Sequence, residues 1–522
     1  MKNRLLLYSI FIAIMLTTFF AACSDKDDDT SGGKGKEEQT DNEYVNNWIM
    51  DSMSVFYLWN NHLPEKTTLD FNADPYDFFG DLIKYEAQLY NGYAFSRMEG
   101  THINIPKSAT AETNTTSSDI GFEFIGAWYN NPRVAITITY VKKGTNAEKM
   151  GLKRGQAIIK VDGQYLYDQN SASSGLYWIE ALYRGKSSYT VDVYDPITKQ
   201  ETHDLTLNVT PNYQENPIFL DSIYTINGRN IGYVMYNSYE AGGETTLPYD
   251  VELSKVFTRF KDSGVKDLIF DLRYNGGGLV RSAKFIASAL VPNRTTDKIF
   301  EVKTYNTDIQ SNLDKMPDNN KTKISWMYEY FTNNIQTTSG QNLAPIPELG
   351  DQLDNICFIG TEYTASASEM TINTLKPYYA EAGKNIYLVG GTTVGKNVGS
   401  WAIYEDNNSK NTYVLWPITF QSHNKLYFTN KEESSNYANG FKPDFKAEDF
   451  EMLATGVKAI GDNEETLLKA AISMLAGPTI KSYTKRGSEN AILKGKSSLN
   501  RKKERNIMYT DKKDIKDINK SK

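Results

Sequence analysis

NICFIGTEYTASASEMTINTLKPYYAEAG, residues 355–383, decides the architecture. Six mostly apolar residues, Asn355–Gly360, have the length and β-branched content of a buried strand. A polar turn follows, and from Ser368 to Ala382 the apolar residues recur at helical spacing, so the segment reads as strand, serine-rich turn, helix. The same alternation appears on both sides of it. Ile231–Tyr236, Asp267–Leu272 and Asn385–Val389 read as further strands, and Tyr249–Ser263 and Val280–Leu290 as helices. Strands alternating with helices over residues 211–480 predict a mixed α/β domain. The polar stretch Thr304–Pro345 reads as an insertion or a mobile cover.

The turn itself, TASASE (Thr364–Glu369), suggests chemistry. A serine hydroxyl is a weak nucleophile at neutral pH and needs a positioned base, plus donors for the charge that develops on a substrate oxygen. The chain has four histidines, His62, His102, His203 and His423. The first three fall outside the α/β region, and nothing in sequence pairs His423 with a serine. A lysine can serve if burial keeps its amine neutral, against a reference pKa of about 10.4. Lys396, in VGKNVGS after a strand and flanked by Gly395, suits that role. The glycine-rich DLRYNGGG, Asp271–Gly278, lies upstream. Two other readings compete. GGTTVGKN, Gly390–Asn397, nearly matches a phosphate-binding loop, but Asn397 stands where the magnesium-binding hydroxyl belongs. Ser366 and Glu369 also have capping-box spacing, which alone would make the serine a helix start.

Upstream, residues 116–210 read as short strands. In ITITYVKKGTNAEKMGLKRGQAIIKVDGQYL, Ile136–Leu166, a strand leads to a short helix at Ala147–Met150, a glycine turn, a second strand and an Asp162-Gly163 hairpin. This resembles the PDZ domains of processing proteases. The resemblance makes Ile120, Gly121, Phe122 and Glu123 the loop that receives a peptide's terminal carboxylate. Residues 43–115 carry helical periodicity through Val45, Trp48, Ile49, Met53 and Phe56, then again over Pro75–Leu89. Residues 1–22 read as an export signal, and FAAC ending at Cys23 resembles a lipobox whose cysteine is acylated. A polar tether follows over 23–42. Lipid attachment at Cys23 implies a bacterial cell envelope location, on the outer membrane. Cys357 is then the sole remaining thiol and reads as a buried strand residue. The net charge of −7 gives no general attraction to nucleic acid. Beyond Pro478, fourteen Lys/Arg against five Asp/Glu read as a disordered basic tail over 481–522.

Together the serine hexapeptide, the lysine, the glycine loop and the PDZ-like segment resemble the carboxy-terminal processing peptidases, or tail-specific proteases. The resemblance covers almost all the chain beyond the tether. It implies a multidomain α/β protein with a helical N-terminal region, a PDZ-like domain and a core similar to the crotonase/Clp-type fold. It implies Ser366 as nucleophile, with Ser368 the second choice of register, and Lys396 as base. It also implies an oxyanion hole made by the amides of Ala367 and of Gly277 or Gly278. Many members carry a glutamine four residues after the lysine; here Ser400 stands there and is the candidate to orient it. No cofactor or metal is implied, and the partners would be proteins with accessible C-termini. Two rivals are a peptide-binding lipoprotein without chemistry and an acyl-CoA enzyme; export argues against the second, because CoA is cytoplasmic.

Overall fold

The structure, a computed structural model, describes residues 40–90, 92–100, 117–130, 132–168, 175–405, 408–450, 456–477, 492–500 and 508–510. The export segment and Cys23 lie outside them. Helices α1 (Asp41–Phe56), α2 (Pro75–Leu82) and α3 (Lys84–Leu89) form the N-terminal unit. Asp74 caps α2 by accepting from Tyr76 N, with Pro75 in the first turn where its missing N–H costs nothing. Val45, Ile49, Met53, Phe78 and Leu82 pack together with Leu415 of the core. Arg97–Glu99 pairs antiparallel with Val414–Trp416, which continues that attachment.

The β-rich unit is built on β1 (Phe122–Trp128), β2 (Arg133–Val141), β3 (Ala157–Val161), β4 (Gln164–Tyr167), β5 (Ser188–Asp195) and β6 (Gln200–Asn208). The Asp162-Gly163 turn has positive φ at both residues, as a tight hairpin requires, and joins β3 to β4. Phe122, Phe124, Ile136, Ile138, Ile158, Trp178 and Val191 fill its core.

In the α/β core the strands are β7 (Ile218–Ile226), β8 (Arg229–Tyr236), β9 (Asp267–Asp271), β10 (Ile299–Thr304), β11 (Asn355–Gly360), β12 (Asn385–Gly390), β13 (Val398–Ser400), β14 (Ile418–His423) and β15 (Phe445–Lys446). The main sheet runs β7-β8-β9-β11-β12-β15, parallel from β8 onward. Helices α4 (Pro248–Asp262), α5 (Val280–Leu290) and α6 (Ala367–Glu381) share one apolar cluster, and α7 (Thr466–Ala476) belongs to another. Strand alternation divides the two. Val234, Phe270 and Phe358 join the first cluster; Tyr233, Ile269, Cys357 and Ile359 join the second. Buried Cys357 is thus a strand residue, as expected. A second sheet, Tyr328–Tyr330 with β10, β14 and β13, carries the segment after Lys396.

A largely buried charge network joins the β-rich unit to the core. Arg273 reaches Asp271, Asp449 and Glu465, each at 2.7–2.8 Å. Arg154 of the β-rich unit donates to Asp449 at 2.5 Å and to Tyr274 Oη at 2.8 Å.

Two expectations are corrected. Thr304–Pro345 is not a mobile cover: Ile309, Leu313, Trp326, Met327, Phe331 and Ile335 are buried in the main core. Ile309 and Leu313 share one face of a single short helix, so a few apolar residues suffice to seat a polar stretch. The tail is not wholly structureless either. Residues β16 (Ile492–Ser497) pair with β1, and Tyr509 bridges to Leu279 and Ser400.

Candidate active site

Ser366 sits where β11 turns into α6, as N-cap, with φ 63° and ψ −117°. Such a backbone is costly for a non-glycine residue and persists only when its surroundings enforce it. Three contacts do so. Ser366 N donates to Glu369 Oε2 at 2.9 Å, which is the half of the capping box that Glu369 supplies. Thr364 Oγ1 donates to Leu272 O at 2.7 Å, and Ala365 N to Asn275 O at 3.1 Å, tying the turn to the glycine loop. The Ser366 hydroxyl is buried and has no hydrogen-bond partner among the described residues. It stands toward the N3 backbone in capping-box geometry, but without a hydrogen bond at the hydroxyl.

Glu369 is the residue that the sequence reading undervalued. Its carboxylate, fully buried, also accepts from Lys396 N at 2.8 Å, Gly395 N at 2.6 Å and Thr393 Oγ1 at 2.5 Å. One side chain thus clasps the backbone of Ser366 to the backbone of Lys396. Burial raises its pKa, while the four donors pull it down. Lys396 is 5% exposed, and its Nζ lies 4.9 Å from the centre of the Phe95 ring. Phe95 comes from the N-terminal unit, and no sequence signal pointed to it. The tight run to Lys396 needs Gly395, whose φ is +95° and where a Cβ would stand 2.3 Å from Ala438 O.

The glycine loop abuts the serine. A Cβ on Gly277, φ +104°, would meet Ser366 Cβ at 2.5 Å and Ala367 N at 2.8 Å. Asn275, also missed in the sequence, organises the loop. Its Nδ2 donates to Tyr236 O and its Oδ1 accepts from Gly277 N at 2.9 Å. The Gly277 amide is thereby committed. Ala367 N and Gly278 N make no hydrogen bond among the described residues, which leaves those two as the pair able to face an oxyanion.

Other candidates separate clearly. Ser368 Oγ donates to Asn275 O at 3.1 Å and is committed to the loop. His423 is held between Thr304 Oγ1 at 2.9 Å and Ser434 Oγ at 2.8 Å, and burial lowers its pKa to about 4. Both ring nitrogens are occupied, so it is no base for Ser366. Ser400, the candidate to orient Lys396, lies at the end of β13 with its Oγ buried and without a hydrogen-bond partner among the described residues. GGTTVGKN leads into strand β13 rather than a helix, so the helix N-terminus a phosphate loop requires is missing there. Of the predicted carboxylate loop, Ile120 and Gly121 precede β1 while Phe122 and Glu123 are its first two residues. Gly121 N donates to Asp119 Oδ1 at 2.6 Å, and Glu123 pairs with Lys142 at 2.8 Å. The described residues contain no group of His, Cys, Asp and Glu fit for a metal.

Comparison with known proteins matches two family models: Peptidase family S41 over residues 230–447, and Peptidase S41 N-terminal domain over residues 44–97. The carboxy-terminal processing protease CtpA of Bacillus subtilis is 30% identical over 163 residues, 31% of each chain. CtpB of the same organism is 26% identical over 315 residues, 59% of this chain and 54% of CtpB. The chain thus spans about a third to a half of the curated relatives it matches. A crystal structure from Bacteroides fragilis NCTC 9343, described as an S41 protease, superposes with a TM-score of 0.59 at 24% identity, covering 82% of this chain and 96% of that one. The Ser366 turn, Lys396 and the glycine loop all fall inside the segment matched by the peptidase model, and the chain belongs to peptidase family S41.

Proposed function

We propose that the chain is a serine endopeptidase that hydrolyses peptide bonds in exported or unfolded proteins near their C-termini, with Ser366 and Lys396 as its dyad. The observation that carries this is the Glu369 clasp, which binds the backbone of both residues while leaving the Ser366 hydroxyl without a partner. In this reading neutral Lys396 takes the Ser366 proton as Oγ attacks a peptide carbonyl. The amides of Ala367 and Gly278 receive the oxyanion. The lysine then returns the proton to the leaving amine, and water releases the acyl group by the reverse route. The β-rich unit would present the substrate, adding its end as a strand beside β1, in the manner of a PDZ domain. Because the Gly121 amide is held by Asp119, a terminal carboxylate would have to displace that side chain. We further propose a lipid anchor at Cys23 in the outer membrane, which labelled-palmitate incorporation by wild type and Cys23→Ala would test.

The dyad is tested by cleavage of unfolded casein by wild type, Ser366→Ala and Lys396→Ala. Loss of activity in both variants, with unchanged melting, is expected; undiminished proteolysis in either one sinks the assignment.

A further inference from the structure

Residues 492–500 lie on β1, and residues 508–510 lie beside the glycine loop. Residues β16 lie antiparallel on β1, with Ile492 opposite Ala127 and Ser497 opposite Ile125. Ser498 Oγ then accepts from Phe124 N at 2.7 Å and donates to Glu123 Oε2 at 2.5 Å. This is an extended segment added to the strand that follows the Ile120–Glu123 loop. Further on, residues Met508, Tyr509 and Thr510 pass between the glycine loop and β13. On one side Tyr509 N donates to Gly278 O at 3.4 Å and Tyr509 O accepts from Val280 N at 3.1 Å. On the other, Met508 O accepts from Ser400 N at 2.9 Å and Thr510 N donates to Ser400 O at 3.3 Å.

All four bonds are main chain to main chain, so any extended polypeptide could make them. Their glycine-loop side is the residue next to Gly277, which abuts Ser366. The side chains add selectivity. Met508 is fully buried in the main core cluster, and the Tyr509 ring packs edge-on against Trp416 at 6.0 Å.

We propose that the channel between Gly278 and Ser400 is a groove for extended peptide carrying a large apolar residue followed by an aromatic one. Its resident ligand is this chain's own Met508–Tyr509–Thr510, secured by residues 492–500 on β1, and substrate must displace it. This rests on the peptidase reading above, but binding can be measured without turnover.

The binding test uses full-length Ser366→Ala chains and a fluorescent peptide, ERNIMYTD. In anisotropy titrations the peptide should bind the chain carrying Met508→Asp at least tenfold more tightly than the chain with Met508 intact, because the groove is then vacated. Equal binding to both overturns the proposal. If Met508→Asp does not fold, Ser498→Ala, which loosens the anchor on β1 by removing the bonds to Phe124 N and Glu123, takes its place with the same two outcomes. Hydrogen exchange on full-length Ser366→Ala with saturating unfolded casein gives an independent readout. Residues 492–500 and 508–510 should lose protection; unchanged protection with casein bound means the segment is a fixed part of the fold and refutes competition. Should wild type cleave nothing while the peptide result holds, the peptidase reading fails and the groove assignment stands.

Discussion

Replacing Glu369 by glutamine tests the clasp most directly. The carboxylate accepts four donors: Ser366 N, Lys396 N, Gly395 N and Thr393 Oγ1. A glutamine of the same shape has one acceptor oxygen and one NH2. Its best placement keeps the oxygen on Ser366 N and Lys396 N and turns the NH2 toward the Thr393 hydroxyl, which can rotate to accept. Gly395 N then faces a donor. One charge-assisted bond is lost and three fall to neutral strength, together roughly 4–5 kcal/mol at about 1–2 kcal/mol each. Relief from burying a charge offsets several kcal/mol of this, leaving about 2 kcal/mol of lost stability. Catalysis should suffer more, because Gly395 precedes Lys396, the proposed base, and a displacement of about 1 Å at a reacting group costs on the order of a hundredfold. We expect kcat on casein to fall roughly 30- to 100-fold with KM little changed, and urea unfolding to report the smaller stability loss. Thr393→Val removes the bond to Glu369 and also the acceptor of Phe441 N; it should cost about 2 kcal/mol and leave kcat within about threefold. A Glu369→Gln enzyme with wild-type kcat would refute the clasp as the device that sets Ser366 against Lys396.

Gly277→Ala should reduce kcat by at least about a hundredfold, since its Cβ would lie 2.5 Å from Ser366 Cβ on a backbone at φ +104°. Gly340→Ala, at φ +83° with nothing nearby, is the control, costing about 1 kcal/mol in stability with kcat intact. Arg273→Met leaves Asp271 and Glu465 buried without their cation and should cost about 3–5 kcal/mol in a denaturant melt; an unchanged midpoint would deny the network a structural role. His423 stays neutral in the fold with its pKa near 4, whereas the unfolded chain takes up that proton near 6.5. Stability from this group is therefore present above pH 6.5 and lost as pH falls toward 4, by about 3 kcal/mol. His423→Gln should flatten that part of the slope between urea melts at pH 7.5 and 4.5, and an unaltered slope would contradict the assignment.

Much of the core was legible because its strands are buried on both faces. A run such as Ile356–Gly360 has no charged or amide residue to confuse the reading, and the predicted helix Val280–Leu290 coincides with the observed one. Ser366, Lys396 and the glycine loop stood out as candidates in the sequence through residue type, although a capping box and a phosphate loop fitted parts of the same pattern. Phe95, Asn275 and the full reach of Glu369 were not legible. Each acts through a partner distant in sequence: Phe95 on Lys396, Asn275 on Ser366's turn, Glu369 on a loop 24 to 27 residues away.

By itself the sequence determined where the main-sheet strands and their helices lie and named candidate serines and a lysine, because periodicity and residue type are local properties. Only the tertiary structure decided which glycine amide remains uncommitted, that Ser368 and His423 are taken by other partners, and that the Ser400 hydroxyl has no hydrogen-bond partner among the described residues. It alone brought Met508–Thr510 between Gly278 and Ser400. Hydrogen-bond capacity is finite and is shared out only when distant segments meet, so which groups are left for chemistry is a property of the folded chain.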